Sequence, residues 1–79
     1  MWHYVYSLQT TDKKHWYVGV TNNLQRRLQE HNSGHSIHTN KYADWQLVSF
    51  TGFQNRKRAE EFENYLKTQS GRAFSKRHF

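Results

Sequence analysis

Cysteine and proline are absent from the chain, and only 6 acidic residues stand against 12 lysines and arginines. Without cysteine, the chain can form neither a disulfide framework nor a cysteine-ligated zinc site, which favours a reducing compartment. The sequence also lacks a signal-peptide pattern and any apolar run close to the ~18 residues that span a bilayer. These absences predict a cytoplasmic protein with no membrane partner, and association with the nucleoid is also open.

The chain has no repeat, no low-complexity tract and no linker-like segment, so we predict one domain over residues 1–79. Domains of this size bury only roughly 60% of the surface that they expose when unfolded. Aromatic residues make up 16% of the sequence and must supply much of the core. The net charge of +6 indicates an anionic partner, most often nucleic acid.

The N-terminal part of the chain is typical of a β-hairpin. Trp2–Gln9 and His15–Thr21 are rich in aromatic and β-branched residues, and a short polar turn separates them. On the second strand, Trp16, Val18 and Val20 share the apolar face, which we expect to form the core side. The opposite face carries Tyr17, Gly19 and Thr21. The glycine on that face leaves room for another group to approach the backbone.

A helix over Asn23–Asn32 is predicted directly after the hairpin. Asn22 is suited to cap its N-terminus, with Gln25 three residues further on as in a capping box. Leu24 and Leu28 are four residues apart and form a narrow core stripe.

Four charged or titratable side chains of this helix form two pairs with the same spacing. Arg27 and His31 are four residues apart and share a face that borders the leucine stripe. Arg26 and Glu30 repeat the spacing on another flank, where we expect solvent-exposed charge.

The C-terminal half predicts a further strand and helix. Trp45–Phe53 is typical of a strand, and Asn55 is suited to cap a helix over Arg56–Gln69. Gly71 is expected to break this helix, and Arg72–Phe79 to form a short basic tail or a small final helix. The order β-β-α-β-α, with that final helix as an option, predicts an α+β fold of one small sheet covered by helices.

Four side chains at the edges of this core differ in chemistry from ordinary packing residues. Taken singly, Tyr17, Arg27 and His31 are explained as packing, solvated charge and helix-end charge. Glu63, at the edge of the buried stripe of its helix, is most simply an ion-pair partner of Lys67. Together, however, a phenol, a guanidinium, an imidazole and a carboxylate are the groups that phosphodiester hydrolysis uses.

Each of these groups has a function in that reaction. A carboxylate can hold one Mg²⁺ that keeps several waters and bridges to phosphate. A guanidinium offers a planar fork to two phosphate oxygens. A phenol or an imidazole can take a proton from the attacking water, although an unperturbed tyrosine, with a pKa of ~10, is a poor base at neutral pH.

Two tyrosine triplets, Tyr4-Val5-Tyr6 and Tyr17-Val18-Gly19, lie on the two strands of the hairpin. Arg27 and His31 follow, and then the pattern Ala59-x-x-x-Glu63-x-x-Leu66-Lys67. In this order, the chain resembles a GIY-YIG nuclease domain of the short, single-domain kind over nearly its whole length. It departs from that pattern in having tyrosine and valines for the glycine and isoleucines of the triplets. The asparagine that members often carry late in the domain has no counterpart.

The resemblance implies a three-stranded antiparallel sheet flanked by helices, and an endonuclease that hydrolyses DNA with one Mg²⁺ or Mn²⁺ ion. Tyr6 and Tyr17 would flank the scissile phosphate, one of them serving as the general base. Arg27 would bind that phosphate, and His31 would hydrogen-bond a tyrosine or relay a proton. Glu63 would be the protein ligand of the metal. The supporting residues expected around this site are Gly19, Thr21, His38 and Thr39.

DNA is therefore the expected partner, and a second protein or a homodimer that helps to supply the target remains open. The residues expected to contact DNA phosphates are Lys13, Lys14, Arg56, Lys57, Arg58, Arg72, Lys76 and Arg77. Such contacts carry no base information directly, which favours structure-selective or weakly sequence-specific cutting in repair, recombination or mobile-element biology.

Two other functions stay open on the sequence alone. One is a catalytically silent nucleic-acid-binding module, and the other is a basic subunit that is active only with a protein partner. The spacing of His31, His35 and His38 raises the question of zinc, but Gly34 interrupts it and no cysteine assists, which disfavours such a site.

Overall fold

The computed structural model describes residues 1–33 and 44–78, and its central element is the strand β1, His3–Thr10. β1 pairs antiparallel with β2, Trp16–Thr21, on one side and with β3, Trp45–Phe53, on the other. The order of the strands is β2-β1-β3. The predicted α+β fold with a three-stranded antiparallel sheet is confirmed.

The pairing of β1 with β3 contains one irregularity. Ser7 lies opposite Ser49, but the next residue, Leu8, lies opposite Leu47. Val48 is therefore an extra residue in β3, which is a β-bulge.

Three helices of the described ranges cover the sheet: α1, Leu24–Asn32; α2, Arg56–Leu66; and α3, Gln69–His78. They lie on both of its faces because successive side chains of β1 point to opposite sides. Val5 packs with α2, whereas Tyr6 packs with α1. The described residues thus form three layers with the sheet in the middle.

The apolar face of β2 is a core side, as expected, but the opposite face is covered as well. Val18 and Val20 do pack beneath α2, but Tyr17 packs beneath α1 with Leu24. Trp16, expected in the core, is 40% exposed because it lies at the end of β2, beyond the reach of α2.

Side-chain caps fix the beginnings of α1 and α2. Asn55 caps α2, as predicted. α1 is capped by Asn23 and not by the predicted Asn22, since Asn23 Oδ1 accepts a hydrogen bond from Arg26 N at 3.1 Å. The Thr21 hydroxyl in turn accepts a hydrogen bond from Asn23 N at 3.1 Å, which stabilises the corner between β2 and α1.

The C-terminal helices differ from the prediction. α2 ends at Leu66 and not at Gln69, because the Thr68 hydroxyl donates to Tyr65 O at 2.6 Å and accepts from Gly71 N at 3.1 Å. Gly71 does not break a helix but lies buried inside α3. A Cβ at this position would collide with the carbonyl oxygen of Tyr65, so glycine is what allows α3 to fold back so closely on α2.

Some expectations fall on residues 34–43 and 79, which lie outside the described residues. These are the supporting positions His38 and Thr39, together with Gly34 and His35 of the disfavoured zinc pattern. Phe74, within the segment predicted as a basic tail or a small final helix, is part of the cluster beneath α2. In the described ranges, no helix has the length and apolar character needed to cross a membrane.

Gly71→Ala tests the contact between α2 and α3. In an exposed helix interior, alanine is favoured over glycine by roughly 1 kcal/mol. Here we expect the opposite, a loss of about 1–3 kcal/mol, because the added methyl group must displace the end of α2. Urea unfolding followed by circular dichroism measures the change, with the exposed Ser70→Ala in the same helix as the control. An equally stable or stabilised Gly71→Ala protein would contradict the close packing.

Candidate active site

Tyr6 is the centre of a group of polar side chains beneath α1. The residue is only 2% exposed, and its hydroxyl oxygen lies 2.9 Å from Nε2 of His31. Nε of Arg27 donates a hydrogen bond to the same oxygen at 3.3 Å. One strand residue and two residues of α1 that the sequence predicts for the site are therefore in direct contact.

His31 is completely buried, with 0% exposure. Its ring centroid lies 5.8 Å from that of Tyr6 and 4.8 Å from that of Tyr17, so that it packs between both phenols. The hydrogen bond to Tyr6 is satisfied when the phenol donates to an unprotonated Nε2, which requires the Nδ1–H tautomer. Because water does not reach the ring, its position favours a role in orienting Tyr6 over direct proton exchange with solvent.

Gly19 makes this arrangement sterically possible. It lies directly opposite Tyr6 in the pairing of β1 with β2. A Cβ at Gly19 would lie 2.6 Å from the Tyr6 hydroxyl oxygen and 2.9 Å from the Tyr17 ring. The room expected beside this glycine is thus filled by the Tyr6 phenol, and any side chain there would push the phenol away from His31.

Arg27 connects the buried hydroxyl with the surface. Its side chain is 29% exposed, its Nη1 lies 3.0 Å from Oε1 of Glu30, and it also hydrogen-bonds Tyr17. Glu30 therefore pairs with Arg27, which corrects the expectation that it forms a solvent-facing flank with Arg26. Burial acts to lower the pKa of the guanidinium, but the hydrogen bonds to Tyr6 and Glu30 outweigh it, and the pKa is raised. The positive charge is therefore permanent.

The two phenols differ in their access to water. Burial raises the pKa of Tyr6 to about 12, against the opposing effect of the hydrogen bond from Arg27. At pH 7, such a phenol is ionised in on the order of one molecule in 10⁵. Tyr6 therefore keeps its proton, whereas Tyr17 is only half-buried and is the phenol in contact with solvent.

Asn32 supports the site in a way that the sequence pattern does not reveal. Its side-chain oxygen accepts a hydrogen bond from Trp45 N at 2.7 Å, and its side-chain nitrogen donates to Trp45 O at 3.1 Å. The amide thus fixes the end of α1, where His31 lies, to the beginning of β3. A polar residue after a helical histidine is too common to indicate this contact, and only the tertiary structure identifies it.

Glu63 lies apart from this group. It belongs to α2, which covers the other face of the sheet, and its side chain is 21% exposed. Its carboxylate pairs with Lys67 at 3.0 Å between Oε2 and Nζ. Within residues 1–33 and 44–78, no hydrogen bond or ion pair joins Glu63 to the tyrosines, Arg27 or His31.

The possible metal ligands of the described residues suit a cation that keeps most of its waters, and not a cation enclosed by protein ligands. Among the residues that the structure describes, no group of three or more histidine, cysteine or acidic side chains could hold a metal ion. Mg²⁺, however, usually keeps several waters and binds through one or two carboxylates together with substrate phosphates. The partly exposed Glu63 carboxylate fits such an ion once the Lys67 ammonium gives way.

The residues expected to contact DNA are all exposed, so that none of them is committed to the core. They are Lys13, Lys14, Arg56, Lys57, Arg58, Arg72, Lys76 and Arg77. One of them, Arg56, pairs with Glu60 at 3.6 Å, with both side chains more than half exposed (76% and 52%). Exposed pairs of this kind contribute little to stability, so they leave the cations accessible to phosphate.

A hairpin thus presents two tyrosines to an arginine and a histidine of the following helix. The GIY-YIG catalytic domain matches residues 2–77, and the chain belongs to the GIY-YIG family, a family of nucleases that generally depend on a divalent metal. Within it, the chain is similar to the UPF0213 proteins.

Three relatives show the extent of this similarity. The UPF0213 protein CPE1444 of Clostridium perfringens is 38% identical over 65 residues, which cover 81% of this chain and 69% of the relative. The UPF0213 protein HQ_3675A of Haloquadratum walsbyi is 35% identical over 68 residues, with coverages of 85% and 75%. The solution NMR structure of the UPF0213 protein BH0048 from Bacillus halodurans superimposes with a TM-score of 0.57 at 32% identity, covering 96% of this chain and 81% of that one.

The raised pKa of Tyr6 predicts a pH-dependent loss of stability. The phenol titrates near 10.0 when unperturbed and near 12 in the folded protein, so between these values the folded state holds a proton that the unfolded state has lost. The stability due to the neutral phenol is complete below pH ~10 and is lost as the pH rises through ~12.

We expect the wild type to lose about 2 kcal/mol more than Tyr6→Phe between pH ~9 and pH ~11.5. Urea unfolding at both pH values measures the difference, and comparison with the variant cancels the groups that titrate equally in both proteins. Identical pH dependence of the two proteins would contradict a buried, protonated Tyr6.

Proposed function

We propose that the chain is a divalent-metal-dependent endonuclease that hydrolyses phosphodiester bonds of DNA and acts as one domain over residues 1–79. The observation that carries this proposal is the convergence of Tyr6, Tyr17, Arg27 and His31 on one hydrogen-bonded group. Core packing alone does not require a guanidinium and a buried imidazole to share one phenol. Membership of a nuclease family and the net charge of +6 support the same conclusion.

Arg27 binds the scissile phosphate in this mechanism. Its contacts with Tyr6 and Glu30 hold the guanidinium in one place, so that little side-chain freedom is lost when a phosphate binds. Its planar fork then stabilises the additional negative charge that the phosphoryl oxygens carry in the transition state.

Tyr17 accepts the proton of the attacking water. During hydrolysis, the water oxygen bonds to phosphorus, the bond from phosphorus to one sugar oxygen breaks, and the water loses one proton to a base. Arg27 hydrogen-bonds Tyr17 and so fixes the phenol oxygen next to the guanidinium that binds the phosphate. Tyr6 keeps its own proton and orients these two groups, and His31 in turn orients Tyr6.

Glu63 would hold the divalent ion, whose chemistry is to polarise the phosphate and to stabilise the leaving oxygen. The exposed lysines and arginines contact phosphates and not base edges. We therefore propose structure-selective or weakly sequence-specific cutting, of the kind that DNA repair or recombination requires.

A nucleic-acid-binding module without cleavage is the second candidate. The ion pair between Glu63 and Lys67 favours it, because the carboxylate is engaged by a cation of the same helix. Within the described ranges, no hydrogen bond or ion pair joins Glu63 to the tyrosine group, which points in the same direction.

A cleavage assay separates the two functions. Labelled duplex, branched and single-stranded DNAs are incubated with Mg²⁺, Mn²⁺ or EDTA. We expect cutting only with metal, and at least about 100-fold slower cutting by Arg27→Ala and Glu63→Gln. The first removes a positive charge that stabilises the transition state, and the second removes the proposed ligand of the metal. Glu61→Gln, exposed on the same helix, is the matched control and should cut like the wild type.

If the protein binds DNA but does not cut it under any metal condition, the endonuclease proposal is wrong and the binding module remains. Cutting that persists in Glu63→Gln would instead remove this residue from the metal site. The cutting rates of Tyr17→Phe and Tyr6→Phe test the base: the loss of Tyr17 should slow cutting more, because it removes the proposed proton acceptor, whereas the loss of Tyr6 removes an orienting hydrogen bond.

Lys67→Met tests the competition for Glu63. Without the ammonium at 3.0 Å, a divalent ion meets a free carboxylate. An exposed ion pair contributes roughly 0.2–1 kcal/mol, so the Mg²⁺ concentration at half-maximal cutting should fall by up to about 5-fold. Calorimetric titration with Mn²⁺ gives a second readout that does not depend on activity.

Arg56→Met is the control for this experiment, because it breaks the other i, i+4 ion pair of α2, with Glu60. We expect it to leave the dependence on Mg²⁺ unchanged. Equal shifts in Lys67→Met and Arg56→Met would mean that general charge, and not competition at Glu63, controls metal binding.

A further inference from the structure

A cavity of about 670 Å³ lies between the sheet and α3, on the face opposite to the tyrosine group. Trp16 and Val48 form its apolar part, and α3 contributes Arg72 and Lys76. Trp16 belongs to this face because it alternates with Tyr17, which packs beneath α1. The ring is 40% exposed, so a large aromatic surface faces the open cavity.

The charged residues of the cavity are all cations. Arg72 and Lys76 are four residues apart on α3 and therefore lie on one side of the helix. The hairpin between β1 and β2 adds Lys13, whose backbone has a left-handed conformation with φ 63°. Among the described residues, no ion pair engages any of these three side chains, and none of those that line the cavity is acidic.

The cavity also contains groups that form hydrogen bonds. Gln9 offers an amide donor and acceptor. Ser75 is only 4% exposed, and its hydroxyl has no hydrogen-bond partner among residues 1–33 and 44–78. A buried polar group of this kind is costly unless a ligand or water satisfies it.

We propose that this cavity binds an unpaired nucleotide of a DNA strand, with the base stacked on Trp16 and the adjoining phosphates on Arg72, Lys76 and Lys13. An aromatic platform beside a cationic groove is the arrangement by which proteins hold single strands. The size of the cavity is within the range of sites for small ligands. The site goes beyond the proposed cleavage and rests on it only for the choice of DNA over RNA.

A strand site on this face gives the domain a way to select structures. DNA with an unpaired segment next to a duplex can engage Trp16 on one face and Arg27 on the other, whereas a blunt duplex engages only the phosphate contacts. Trp16 would thus contribute to the choice of substrate without taking part in the chemistry.

Fluorescence anisotropy of a labelled oligothymidylate, in EDTA so that nothing is cut, tests the site. We expect Trp16→Ala to weaken binding by about 5- to 150-fold, which is the range for loss of one stacked base. Trp2→Ala is the matched control. Trp2 is also exposed (49%) but packs on Gly52, outside the cavity, and its loss should change binding by less than about 2-fold.

The charge component has its own matched pair. Arg72→Ala should weaken binding and lower the slope of log K against log salt by about 0.7, the value for one phosphate contact on a single strand. Arg26→Ala removes an exposed arginine from α1, outside the cavity, and should leave this slope unchanged.

Three results would overturn the proposal. The first is that Trp16→Ala and Trp2→Ala weaken binding equally. The second is that Trp16→Ala weakens the binding of blunt duplex as strongly as that of oligothymidylate. The third is that oligouridylate binds more tightly than oligothymidylate through Trp16. Trp16→Phe keeps an aromatic face and should restore most of the affinity, which distinguishes stacking from misfolding. If the protein does not cut DNA but still binds it in a way that depends on Trp16, the proposed endonuclease activity is contradicted and this site is not.

Discussion

The hydrogen bond between Tyr6 and His31 is the contact on which the site depends. It joins the central strand to α1 across the interior, and it forms only because Gly19 leaves the space that the phenol occupies. Once the phenol is fixed there, its oxygen holds the Arg27 side chain at the surface of the domain. A buried imidazole therefore determines where a partly exposed guanidinium lies.

The two covered faces of the sheet differ in the kind of side chains that they carry. The face beneath α1 carries the hydrogen-bonded tyrosines, and the face beneath α2 carries aliphatic and aromatic packing around Val5 and Val18. β2 is an edge strand that contributes to both faces. Its Tyr17 lies on the face beneath α1, and its Trp16 lies on the opposite face, beyond the end of α2. A chain without cysteine therefore packs helices on both faces of a single sheet.

Local sequence signals predict those features that local physics decides. The alternation in the hairpin, the spacing of Arg27 and His31, and the cap at Asn55 depend on neighbours within a few residues, and the structure agrees with them. The end of α2 and the place of Gly71 could not be predicted, because they depend on one helix folding back on another. The partner of Glu30 could not be predicted either, because Arg26 and Arg27 both lie at spacings that allow an ion pair with it. The contact of Arg27 with Tyr6 places Arg27 beside Glu30.

The bulge at Val48 has a consequence for the behaviour of the protein in concentrated solution. β3 is an edge strand without charged residues or proline, and Leu47, Val48 and Phe50 on it are each more than a third exposed. A regular apolar edge strand would be a template on which a second chain could add as a further strand. The extra residue bends the edge and interrupts its regular row of donors and acceptors. The irregularity in β3 thus works against self-association, a task that charged gatekeeper residues perform in other sheets.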